Sequence, residues 1–107
     1  MNDGFVCVAD RSALARNSTI VRNVGPYEVA IFDVDGELFA LENACPHQGG
    51  PLAEGSVERG VVTCPWHAWR FNVRTGCMTL GEFASVPRFA VIADEGRIWL
   101  GEEPLER

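Results

Sequence analysis

A chain of 107 residues can build one hydrophobic core and is too short for two; its 47% hydrophobic and 22% charged residues are those of an ordinary globular domain, which excludes intrinsic disorder. Fifteen acidic residues against nine basic ones leave a formal charge of −6, which excludes nucleic acid and anionic membrane surfaces as partners and favours a basic protein surface. The opening MNDGFVCVADRSALARN carries acids where a secretory signal needs positive charge, and no apolar run is long enough to span a bilayer. The expected compartment is the cytoplasm, whose reducing poise disfavours disulfides. The four cysteines then need another explanation.

In chain order, β-type residues over 5–9 predict a first strand, with Cys7 as a small core residue. Residues 10–16 have room for a helical turn or two, with Asp10 or Ser12 as the N-cap. Strands are predicted over 18–24 and 27–34, on either side of Gly25-Pro26, and Asp35-Gly36 is a strong hairpin signal before a strand over 38–43. A strand over 61–64 follows Arg59-Gly60, and one over 69–73 runs into Thr75-Gly76. Residues 88–94 and 97–100 are joined by Glu95-Gly96, and alternation along the strands assigns Trp69 and Trp99 to the core. About eight short strands at hairpin spacing predict an all-β fold, an antiparallel sandwich or barrel, in a single domain over 1–107. The exception to the strand rhythm is the Gly- and Pro-rich stretch 43–60, and a long loop in a small domain is usually functional.

That stretch contains Cys45-Pro46-His47, and residues 64–67 read Cys64-Pro65-Trp66-His67, so both histidines of the chain stand just behind a Cys-Pro. Each short spacing lets one turn offer a thiolate and an imidazole to the same metal centre. The proline after each cysteine stiffens that turn, and Gly49, Gly50 and Gly55 let the first loop pass where a side chain would block the backbone. Three readings compete. The four residues could be scattered structural ones, although two matched pairs argue against that. They could hold a structural zinc, although zinc modules usually group like ligands on one knuckle and here each knuckle is mixed. Or they could hold a two-iron, two-sulfide cluster, with two cysteines on one iron and two histidines on the other. Cys7 and Cys77 have no histidine nearby and read as structural.

CPH, then residues 48–63, then CPWH resembles the Rieske motif, and the similarity continues into PLAEG after the first box and WRFNVRTG after the second, over about residues 38–76. The resemblance implies a Rieske-type [2Fe-2S] ferredoxin: an antiparallel β-sandwich with an inserted cluster-binding subdomain, here about residues 43–82. By that resemblance Cys45 and Cys64 bind the buried iron, and His47 and His67 bind the outer iron through Nδ1 with their ring edges toward solvent. With no further histidine, the chain lacks the two-histidine-one-carboxylate site of an oxygenase. The implied role is therefore a carrier rather than an enzyme, a monomer taking one electron from a flavoprotein reductase to a terminal ring-hydroxylating oxygenase. The alternatives are the related small subunit of cytosolic NAD(P)H-dependent nitrite reductase and, from another class, a zinc-stabilised interaction module.

Departures from the pattern narrow the subtype. In Rieske proteins of respiratory cytochrome bc complexes the two ligand loops are joined by a disulfide, and the matching positions here are Gly50 and Trp66. Those proteins also place a serine and a tyrosine hydroxyl near the cluster, where this chain has Trp69 and Phe71. Loss of both donors predicts a potential at the low end of the Rieske range, about −150 mV. The segment 77–87, which matches the proline-containing cover of the cluster, has no proline before Pro87. Trp66 is a candidate for shielding the cluster or meeting a partner, Gln48 for meeting a partner, and Arg70 and Arg74 for offsetting the acidic surface.

Overall fold

The computed structural model describes residues 4–45, 50–66, 69–79 and 85–105. Ten strands lie among them: β1 (Phe5–Asp10), β2 (Thr19–Val24), β3 (Tyr27–Val34), β4 (Glu37–Glu42), β5 (Ser56–Glu58), β6 (Val61–Thr63), β7 (Arg70–Asn72), β8 (Arg88–Phe89), β9 (Val91–Asp94) and β10 (Arg97–Gly101). They form three sheets, ordered β1-β10-β9, β2-β3-β4-β8 and β5-β6-β7, and every strand pairing is antiparallel. The expected antiparallel sandwich is borne out, with a third small sheet added.

Alternation along β3 explains the layering. Ala30, Phe32 and Val34 point into one core with Leu41, Val62 and Phe71, while Val29 and Ile31 point into a second with Ala40, Ile98 and Leu100. Strand β3 is thus buried on both faces, which is why it reads as a nearly unbroken apolar run. The four-stranded sheet lies between the other two. Asp35 and Gly36 take φ of 53° and 92°, the two left-handed positions of a tight hairpin turn, and the X-Gly pairs Arg59-Gly60 and Glu95-Gly96 turn their hairpins in the same way.

Four expectations are corrected. The run 88–94 divides at Ala90: β8 pairs with β4 and β9 with β10, so one stretch of chain passes from sheet to sheet at a corner. The helical segment is a single 3₁₀ turn, Arg11–Ala13, and neither Asp10 nor Ser12 makes a side-chain cap. Cys7 is exposed, because the pairing of β1 with β10 shifts between Cys7 and Ala9 and Val8 and Ala9 both turn to the core. Such a bulge breaks the alternation on which the core assignment rested. Trp99 lies between buried Ile98 and Leu100 and so occupies the opposite, half-exposed face of β10. Trp69 does pack against the first core, at its edge.

Asp33 holds the 3₁₀ turn to the central sheet. It is 2% exposed, and its carboxylate accepts bonds from Arg11 Nη2 at 2.6 Å, the Asn17 N–H at 3.1 Å and the Gly36 N–H at 2.9 Å. Burial pushes the carboxyl up, but the two backbone donors and the guanidinium outweigh it and hold the group below the usual carboxylate range. Asp33→Asn should therefore cost about 2–3 kcal/mol at neutral pH, the scale of a hydrogen-bonded charge lost from a buried site. A depressed folded pKa gives stability that is present above the unfolded value and lost as pH falls through the folded one. In urea melts the gap between wild type and variant should hold at neutral pH and narrow below about pH 4. A gap that widened in acid would contradict this account.

Candidate metal centre

The two cysteine loops leave the same core by matching routes. Strand β4 runs into Asn43, which is 7% exposed and anchors the root of the first loop. Its N–H donates to the Glu28 carbonyl at 2.8 Å, its Nδ2 donates to Glu28 Oε1 at 3.1 Å, and its Oδ1 accepts from the Ala53 N–H at 2.7 Å. Cys45 follows at 2% exposure, and its N–H donates to the Gly50 carbonyl at 2.8 Å. Beyond it the 3₁₀ turn Leu52–Glu54 buries Leu52 completely, contributing about 2 kcal/mol and seating the loop's far end. Strand β6 leads likewise into Cys64, which is 1% exposed; its N–H donates to the Trp69 carbonyl at 2.7 Å and β7 carries the chain away. Each cysteine therefore closes a loop onto the carbonyl five residues further on.

Gly50 is where the two cysteine segments meet. A Cβ built there would lie 2.9 Å from Cys64 Sγ and 3.1 Å from Cγ and Cδ2 of Trp66, so beside Trp66 a larger residue crowds both the ring and the second thiol. Cys64 Sγ also accepts the Trp66 N–H at 3.4 Å. Cys45 and Cys64 belong to one core cluster, whereas Cys7 and Cys77 are exposed, and none of the four is in a disulfide. Two buried thiols brought together beside an amide donor form a soft-ligand site, suited to iron–sulfur, zinc or copper(I). His47 and His67 lie outside the described residues, as do Pro46, Gln48, Gly49, Ala68 and residues 80–84.

The segment after β7 is held at both ends of the part that is described. The Val86 N–H donates to the Gly76 carbonyl at 2.7 Å, the Thr79 N–H to the Arg70 carbonyl at 3.1 Å, and Cys77 bridges to Ser85. Arg74 reaches Glu37 at 3.6 Å and stands over the Phe39 ring at 4.9 Å, so it offsets the acid of Glu37 on β4. Sequence reasoning passed over Asn43. The signal was a lone amide at the end of an apolar strand, a residue type that bonds nearby backbone where a strand gives way to a loop.

Comparison with known proteins settles the class. The Rieske [2Fe-2S] domain model matches residues 4–90. The chain belongs to the Rieske family. It is 34% identical over 88 residues to the ferredoxin component of the alkene monooxygenase system of Xanthobacter autotrophicus, covering 81% of this chain and 72% of that protein. It superposes on the ferredoxin of carbazole 1,9a-dioxygenase from Nocardioides aromaticivorans with a TM-score of 0.87 at 27% identity, covering 94% of this chain and 100% of that one. A chain from a complex of reduced oxygenase and oxidized ferredoxin in carbazole 1,9a-dioxygenase gives 0.88 at 26% identity, with 99% and 100% covered. Longer curated relatives are covered over 8% to 48% of their length. The cofactor of this Rieske domain is one [2Fe-2S] cluster, and the buried thiol pair fits its sulfur-ligated iron. Zinc falls away as a reading.

Proposed function

We propose that this chain is a Rieske ferredoxin that takes one electron from a flavoprotein reductase and delivers it to a terminal ring-hydroxylating oxygenase. The observation that carries this is the near end-to-end match to ferredoxin components, in a chain whose only two histidines both stand in the cysteine boxes. None remains for a mononuclear oxygenase iron within this chain. Cys45 and Cys64 bind the inner iron and His47 and His67 the outer one, in a cluster-binding subdomain of about residues 43–82. The burial of both cysteines supports the inner assignment.

When bound, the cluster supplies a one-electron couple. The chain's part is to hold two thiolates in a dry core, to give Cys64 Sγ an amide donor, and to present an acidic surface to basic docking sites. The protein acts as a monomer in the cytoplasm. Among the described residues no helix is long and apolar enough to cross a membrane.

Iron and sulfide analysis with EPR of the dithionite-reduced protein tests the assignment. A rhombic signal from mixed cysteine and histidine ligation is expected, and Cys64→Ser should abolish it. His67→Cys should keep some cluster at a lower potential, because a thiolate adds negative charge where a neutral imidazole stood; a higher potential would remove His67 from the ligand set. Stable copurification with a large flavin or sirohaem subunit would overturn the oxygenase role in favour of a nitrite reductase small subunit.

A further inference from the structure

Trp66 is one of three large apolar residues left exposed among the described residues, with 46% of its surface accessible. It also touches both Gly50 and Cys64. The indole lies on Gly50, 3.1 Å from where a Cβ would stand, and the Gly50 carbonyl accepts the Cys45 N–H. The Trp66 N–H itself donates to Cys64 Sγ. One residue thus links the two cysteine segments, its ring lying on Gly50, whose carbonyl holds the Cys45 N–H, and its amide reaching Cys64 Sγ.

We propose that Trp66 is a positioning residue, a non-covalent clasp that holds Gly50 against Cys64 and keeps water from Cys64 Sγ. This rests on the ligand assignment above. A disulfide could tie the same positions, but it would open and close with the thiol poise of the cell; an indole packed on glycine holds them at any poise. Gly50 and Trp66 work as a pair. The glycine leaves the room that the ring fills, and any larger residue at position 50 displaces either the ring or the ligand sulfur.

The test compares Trp66→Ala, Trp66→Phe and the double variant Gly50→Cys with Trp66→Cys, each as holoprotein. The readouts are the rate of iron release to a ferrous chelator, the midpoint potential and a thermal melt. Trp66→Ala should release iron roughly tenfold faster, the scale of a lost aromatic contact, and its potential should rise as water reaches Cys64 and stabilises the more negative reduced state. Trp66→Phe should restore most of the retention, since a phenyl still covers Gly50. Trp66 Cγ is one bond from its Cβ, so the two Cβ positions are within reach of the roughly 3.5–4.5 Å a disulfide requires. With the ring gone, a Cβ at position 50 has only Cys64 Sγ to crowd, at 2.9 Å, a matter of a few tenths of an ångström; the oxidised double variant should therefore release iron more slowly than Trp66→Ala and lose that resistance after phosphine reduction. Release by Trp66→Ala at the wild-type rate, or by Trp66→Phe as fast as by Trp66→Ala, would overturn the clasp. If Trp66→Ala does not fold, the double variant decides, and equal release in its two redox forms would overturn the clasp. Wild-type protein without iron or sulfide would instead overturn the ferredoxin reading itself.

Discussion

Replacing Gly55 with alanine is expected to destabilise the protein by about 3–4 kcal/mol, at the upper end of single substitutions, and to strip most of the cluster from what folds. A Cβ on Gly55 would lie 1.9 Å from the Thr63 carbonyl oxygen and 3.3 Å from that of Leu52. Both are backbone atoms, which cannot swing aside as a flexible side chain would. Gly55 has φ of −82° and ψ of 169°, a conformation alanine adopts freely, so the cost is the collision and not the turn. Relief requires β6 to separate from the Leu52–Glu54 turn, which unseats fully buried Leu52 and drags on Thr63, the neighbour of Cys64. At about 4–8 °C per kcal/mol for a domain of this size, the melt should fall by more than about 12 °C. Gly96→Ala is the control. It has φ of +76° and nothing within 4 Å of its Cβ, so only the left-handed backbone is penalised, by about 1–2 kcal/mol. A Gly55→Ala melt as mild as that of the control would show that the close approach does not hold the loop.

Much of this is written locally. Strands β2, β3 and β4 follow from apolar runs closed by Gly25-Pro26 and Asp35-Gly36, and turn chemistry needs no knowledge of the rest of the chain. That Cys45 and Cys64 share one core is likewise foreshadowed, because each opens a matched Cys-Pro box. Contacts between distant segments are what escape such reading. Strand β5 is three residues inside a Gly-rich stretch and exists because Val57 opposes Val62 across the sheet. The division at Ala90 follows from β4 and β10 competing for one run. Gly50 and Gly55 could be picked out as permissive, but that one abuts Cys64 Sγ and the other the Thr63 carbonyl depends on how two loops meet. Trp66 shows the same limit: its identity is local, and its contact with Gly50 is not.

The midpoint potential is expected at the low end of the Rieske range, about −150 mV, and Phe71→Tyr is expected to raise it by about 40 mV. Phe71 is fully buried in the core that contains both cysteines, and Trp69 lies beside it with ring centroids 6.5 Å apart. Neither carries a hydroxyl. Such donors matter because reduction adds negative charge to the site, so a hydrogen bond to sulfur is stronger in the reduced state. If it is stronger by about 1 kcal/mol, the one-electron couple moves by about 40 mV, since a tenfold change in equilibrium corresponds to about 59 mV. Redox titration followed by the loss of visible absorbance on reduction would read both values. A wild-type potential above about 0 mV would refute the low-potential assignment. An unchanged potential in a Phe71→Tyr protein destabilised by about 1–3 kcal/mol would mean that the new hydroxyl is buried without a partner, and that this ring edge does not face sulfur. The formal charge of −6 acts in the same direction as the missing donors, because a negative field opposes a further electron. With both lowering the potential, the driving force lies toward handing the electron on.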